Sequence, residues 1–294
     1  MQLDETEVPP PAATGHRRGS LAERSERSRR WSGAPVRRLA MGSYITAIYF
    51  FLLAPILIVV FTSFNPTEAN VFPPRGFSLR WYGVFLESSG FVDAFKFSLW
   101  LGLVSAVGAT VIGFLSAYGI VRLLGKRREV GQSLALLPIM IPHILISISL
   151  LLALTVVPFP ELGGLIFGHI MICLPFTIAG IIASLEGVDL QLELAARTLG
   201  ASRLRTMVEV VIPLAAPGML SALIFAFIVS FGDVYIALFL SGPGRTTLPI
   251  EIFSYMQWET TPVVAAITTV QILLIVVLGL VIERLVGLRK ILRV

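Results

Sequence analysis

Six stretches without a charged side chain divide this chain of 294 residues: 39–67, 97–121, 130–160, 162–185, 210–232 and 260–282. Each exceeds the roughly 20 residues that a helix rising about 1.5 Å per residue needs to cross about 30 Å of hydrocarbon. Hydrocarbon cannot hydrogen-bond a bare backbone, so runs of this length are expected as helices and not as open strands. Composition removes the soluble alternative. With 55% hydrophobic and only 14% charged residues, and a mean hydropathy of +0.85, the charges are too few to cover a water-soluble globule of this size. The expected fold is an all-α membrane protein with six transmembrane helices.

The charges that remain are sorted by side. Of the 23 Lys and Arg residues, 19 fall before residue 39, within 122–132, within 186–215 or after residue 283. The other four are Arg75, Arg80, Lys96 and Arg245. The positive-inside rule then places both termini and the 186–215 segment in the cytoplasm. A pI of about 9.7 thus reflects membrane topology, and no nucleic-acid partner is expected. Residues 1–40 are rich in Arg, Ser, Pro and Glu, with little to bury, and are expected to be a disordered cytoplasmic tail near anionic lipid. They lack the short apolar core and small-residue site of a cleavable signal peptide. Residues 41–294 are left as the membrane domain.

Residues 192–218, LELAARTLGASRLRTMVEVVIPLAAPG, separate two of the apolar runs. Asp189 is expected to cap a short helix over 190–199, its carboxylate accepting free amide hydrogens of the first turn. Gly200 should stop that helix, because glycine enters the left-handed region without steric cost. Ser202 is placed to cap a second short helix, with Pro213 and Pro217 bounding it and the next span beginning beyond. Glu193 and Arg197 stand four apart, the spacing of a surface helix pair.

Ala195, Ala196, Gly200, then Val210, Val211, Ile212 and Pro213 at their spacings resemble the EAA loop of permease subunits of binding-protein-dependent ABC importers. Leu194 stands where that family carries its glutamate, with the carboxylate displaced to Glu193. The resemblance implies a type I importer (MetI-like) permease fold of six helices, with a cytoplasmic coupling helix between helices 4 and 5. It further implies an ATPase contact made through Glu193, Leu194, Ala195, Ala196, Gly200, Ile212 and Pro213. The partners it implies are two ABC ATPase subunits, a second homologous permease, a periplasmic solute-binding protein and membrane lipid, in a bacterial inner membrane. The segments FTSFNPTEANVFPPRGFSLRWY from Phe61 and FLSGPGRTTLPIEIFSYMQW from Phe239 are similar to outer loops of spermidine/putrescine-type permeases. The implied cargo is a polyamine or a related small organic solute, with opines, phosphonates and amino-acid derivatives as alternatives.

No catalytic apparatus is legible, so the chain reads as a transport subunit whose fuel is burned elsewhere, and no cofactor is expected. In GIVRLLGKR, from Gly119 to Arg127, the glycines are one residue too far apart for a phosphate loop, and the lysine precedes Arg. It reads as a helix end with a basic turn. Cys173 is alone and lies in a span, so no internal disulfide forms. His16, His143 and His169 have no carboxylate or second histidine at metal-ligand spacing, and packing roles are expected for the latter two. Asp233 is the intramembrane candidate. It sits about 24 Å along the fifth span from Pro217, toward the outer face, and is expected to meet a wet interior. As counter-charge for a cationic solute it would be helped by the aromatic faces of Trp100, Tyr118 and Tyr235. The alternative is an outer-rim acid that is hydrated or bonded to a neighbouring helix, with the three aromatics anchoring helix ends. Glu251, Trp258 and Glu259 are candidates for contact with the binding protein. The rival reading, a stand-alone carrier or channel, would be favoured by internal repeats, and none is evident between the two halves.

Overall fold

The computed structural model describes residues 34–157 and 159–291. Its helices are α1 (Ala34–Thr62), α2 (Arg80–Glu87), α3 (Ser89–Arg122), α4 (Arg128–Leu136), α5 (His143–Val156), α6 (Glu161–Glu186), α7 (Leu190–Thr198), α8 (Arg203–Thr206), α9 (Ile212–Phe231), α10 (Tyr235–Leu240), α11 (Leu248–Met256) and α12 (Val263–Ile291). Among the described residues there is no strand. Internal contacts fall into two units, Met1–Leu57 and Ile58–Val294. The described part of the first is the bulk of α1, which is already helical from Ala34. The tail assigned to residues 1–40 otherwise lies outside the described residues.

Among the described residues, five helices are long and apolar enough to cross a membrane. The sixth charge-free run, 130–160, differs from the straight span its composition predicts. It is a broken pair, Gly125–Met140 and His143–Val156, bent by 92°. Pro142 forces the break. A proline disfavours helical geometry in the residue before it, and Ile141 is extended at φ −89°, ψ 126°. Pro175 lies inside α6 without ending it.

The core of the second unit is the packing of α3, α6 and α9. In α3 the buried positions Ser98, Gly102, Ser105, Ala109, Gly113 and Ala117 recur every three or four residues. That spacing puts small side chains on one face, which lets neighbouring backbones approach. A Cβ on Gly113 would meet Thr177 Oγ1 at 2.5 Å, and one on Gly102 would meet the Phe227 ring at 3.1 Å. Hydroxyls and a thiol then bond neighbouring carbonyls: Thr177 to Ala109 at 3.0 Å, Cys173 to Ala226 at 3.2 Å and Ser184 to Ala215 at 3.2 Å. The buried His169 meets Ser230 Oγ through Nδ1 at 2.9 Å. His169 is thus packed between helices as expected, although only Nδ1 is bonded and its buried Nε2 has no partner among the described residues, and Cys173 is buried.

These contacts fix the relative directions of the helices in the bundle. Gly108 faces Ile170 and Gly113 faces Thr177, so α3 and α6 run parallel. The Cys173 to Ala226 and Ser184 to Ala215 bonds make α9 antiparallel to α6. Because α3 and α6 point the same way, the chain between them must return across the full thickness. The bent pair of α4 and α5 is the only described segment available to do so, which makes it the sixth crossing.

A smaller layer caps one end. The Trp81 indole of α2 donates to the Asn65 carbonyl at 2.8 Å, and the Leu248 amide that opens α11 donates to Ser98 Oγ at 2.7 Å. Phe91 and Tyr255 meet edge-on with centroids 5.3 Å apart.

Candidate functional site

The polar segment after α6 forms two short helices meeting at Gly200. Asp189 caps α7, accepting the Gln191 amide at 2.9 Å, and Ser202 caps α8, accepting the Arg205 amide at 3.2 Å. Between them Gly200 takes φ +91°, the left-handed value that makes glycine the fitting residue there. This much follows the expected layout. The expected end at Pro213 does not. From Arg203 to Phe231 the chain is one continuous helical run, because the turn Met207–Val211 widens to π geometry with the Ile212 amide bonded to Met207 O. The wider turn relieves the clash of a proline ring with the preceding turn and absorbs its missing amide. Ile212 and Pro213 are thus the first residues of α9, and Pro217 lies within it.

On α7, Leu190, Leu192 and Leu194 are exposed, as is Ala195, and Ala196 is partly covered. Leu199 follows at 90% exposure. Glu193 departs from the role of an outward contact: it is 5% exposed and turned inward. Arg122 Nε donates to its Oε1 at 2.7 Å, and the Tyr118 hydroxyl donates to its Oε2 at 3.3 Å. The pairing with Arg197 suggested by spacing is replaced by this one, since Glu193 sits on the face of α7 that meets α3. The same Arg122 donates to the carbonyls of Leu185 at 3.3 Å and Val188 at 2.9 Å. A second ion pair, Arg128 with Glu186, joins α4 to the end of α6. Beneath α7 lies a cavity of about 390 Å³ lined by Tyr118, Arg122, Glu193, Leu194, Arg197 and Leu204. Arg122 was missed as a site residue. Its signal was present, for Tyr118 and Arg122 stand four apart on one helix face at the end of an uncharged run.

Asp233 lies in the break between α9 and α10. Its Oδ2 accepts the Ile236 amide at 2.7 Å and its Oδ1 meets His143 Nδ1 at 3.3 Å. The carboxylate is 2% exposed, whereas the imidazole is 34% exposed. The expected wet surrounding for Asp233 gives way to the alternative, a bond to a neighbouring helix: the turn at Gly232–Val234 folds the carboxylate back to cap α10, and His143 covers it. His143 also gains a partner that spacing could not reveal, because the two residues are 90 apart in sequence.

The proposed aromatic companions do not gather around Asp233. Tyr118 bonds Glu193 instead, and it lies 18 residues beyond Trp100, about 27 Å along α3. Trp100 stacks on Phe97 at 5.9 Å and is half-exposed. Tyr235 adjoins Asp233 only in sequence and is also half-exposed. Among the candidate contacts of the outer segment, Glu251 lies in the first turn of α11, next to Gly90. Trp258 is 89% exposed. Glu259 accepts the Tyr255 hydroxyl at 2.6 Å. Burial first, and the adjacent Glu259 next, push the Tyr255 phenol above its ordinary range, so it stays a donor at neutral pH.

The Gly119–Arg127 segment is a helix end followed by a basic turn, with Gly125 at φ +50°. Among the described residues no three His, Cys, Asp or Glu side chains come together as metal ligands. What the fold assembles is a bundle of apolar helices bearing a hinged polar hairpin, which is the build of a membrane transport subunit. Comparison with known proteins makes this specific. Residues 109–290 match the family described as "Binding-protein-dependent transport system inner membrane component", and the chain belongs to that family.

The chain is 32% identical over 243 residues to the spermidine/putrescine transport system permease protein PotC of Escherichia coli (strain K12), covering 82% of this chain and 91% of that one. It is 31% identical over 229 residues to the putrescine transport system permease protein PotI of the same strain, covering 75% and 81%. In fold it is similar to a chain of a bacterial ABC transporter involved in the import of the acidic polysaccharide alginate. That match has a TM-score of 0.66 at 14% identity, covering 86% of this chain and 97% of the other. The chain is thus a multi-pass permease subunit of a bacterial ABC importer, and not an enzyme.

Proposed function

We propose that this subunit forms half of an inward path for polyamines, opposite a second homologous permease, with both termini and the 186–215 hairpin in the cytoplasm. Two ATPase subunits bear on the hairpins, and a periplasmic binding protein delivers the solute at the opposite end, where Glu251, Trp258 and Glu259 lie. Closure of the ATPases on ATP rocks the helices outward-open, and hydrolysis resets them. The observation that carries this reading is the hairpin itself. Two side-chain-capped helices meet at a glycine with φ +91°, and the second continues without interruption into the apolar α9. A load on α7 and α8 therefore reaches the bundle through one rigid rod.

In this arrangement the contact with the ATPase is mainly apolar. Leu194, Ala195 and their exposed neighbours Leu190 and Leu192 meet the partner, and Glu193 supports them from behind. Gly200, Ile212 and Pro213 set the angle between hairpin and span. On the solute path the Asp233 carboxylate, 2% exposed behind the 34% exposed His143 imidazole, acts on a cationic amine through its field and not by direct contact. Likeness to PotC and PotI supports the polyamine cargo.

The test is reconstitution of the chain in liposomes with the ATPase, companion permease and binding protein of its own system. ATP-dependent uptake of spermidine or putrescine is expected, and none without the ATPase. Uptake by the chain alone would make it a carrier. A binding protein that takes phosphonates or amino-acid derivatives and no polyamine would keep the importer and replace the cargo.

A further inference from the structure

α7 is bounded by two backbone joints, the Gly187–Asp189 link before it and Gly200 after it. A short helix held only by apolar contacts between two joints slides when pushed. Here its inner face carries one buried carboxylate, and one guanidinium takes it. Arg122 Nε donates to Glu193 Oε1 at 2.7 Å while its terminal nitrogen reaches the carbonyls of Leu185 and Val188, at the end of α6 and just beyond. The fork of one side chain on α3 thereby fixes α7 to two core helices, and Tyr118, one turn earlier on α3, adds a bond to the same carboxylate. The Arg128–Glu186 pair steadies the end of α6 from the other side.

We infer that Arg122 is a positioning residue for coupling: it sets the angle of α7 against α3 and α6, so that a displacement of the hairpin moves those helices as one body. The inference rests on the importer reading above and assigns the part of that lever that lies inside this subunit. A lysine replaces the arginine only in part, because one ammonium point charge lacks the planar fork that serves the carboxylate and two carbonyls together.

The experiment measures solute taken up per ATP hydrolysed in the fully reconstituted importer. Arg122→Gln and Glu193→Gln are expected to lower that ratio about tenfold in complexes that assemble, with Arg122→Lys in between. A merely structural role would lower the yield of complex and leave the ratio of the surviving molecules unchanged. The double reversal Arg122→Glu with Glu193→Arg should recover part of what either single reversal loses. A wild-type ratio in assembled Arg122→Gln would overturn the inference. Should that variant fail to assemble, a wild-type ratio in Arg122→Lys would do the same. A wild-type complex unable to couple uptake to hydrolysis would instead overturn the importer reading, and the inference with it.

Discussion

Each oxygen of the Asp233 carboxylate has its own work: Oδ2 starts α10 by accepting the Ile236 amide, and Oδ1 faces His143. Two substitutions separate these contributions. Asparagine keeps an acceptor for the cap and removes the charge, while alanine removes both. Asp233→Asn is therefore expected to slow uptake of a cationic solute about tenfold more than that of an uncharged one while leaving thermal stability near wild type. Asp233→Ala should show the same uptake defect and lose about 1 kcal/mol besides. Parallel uptake assays and thermal unfolding in detergent read both. Equal uptake of charged and uncharged solutes by the Asn variant would leave Asp233 a cap alone. At this scale the sequence identified Asp233 as the acid in an apolar setting but not its burial, because burial depends on His143, brought in by another helix at the Pro142 break.

Along the hairpin, local chemistry was legible almost residue by residue. Asp189, Gly200 and Ser202 act through the backbone within a few positions, so their roles can be read from neighbours alone. Pro213 was misread for a related reason. A proline interrupts a helix of regular pitch, but the π turn at Met207–Val211 changes the pitch before the proline arrives. The outcome strengthens the lever, since α8 and α9 become one rod. Gly200→Val would force a β-branched residue into φ +91°, at a strain of about 1–3 kcal/mol. The hairpin is expected to relax to another angle, cutting uptake per ATP about tenfold while membrane insertion stays normal. Membrane yield and reconstituted transport together check this, and unimpaired transport would show that the bend carries no load.

Across the whole molecule the parallel course of α3 and α6 demands a return crossing, and the bent α4–α5 pair makes it. Six crossings place Lys126 on one side and Trp258 on the other, in accord with the distribution of basic residues. Single cysteines at these two positions, in a chain with Cys173→Ala, provide the check. A membrane-impermeant maleimide added to intact cells should label position 258 and spare 126 until the membrane is opened. Labelling of both from outside would break the topology.

By itself the sequence determined the number of crossings, their helical nature, the expected sidedness and the glycine-hinged hairpin. Those features follow from partition between water and hydrocarbon and from backbone preferences, and both act on each segment separately. The tertiary structure alone decided that Arg122 meets Glu193 across 71 residues and that His143 meets Asp233 across 90. Such pairs depend on the angle and depth at which helices dock. In this bundle those are set by which small side chains let two backbones approach, a property of surfaces in contact that no single segment contains.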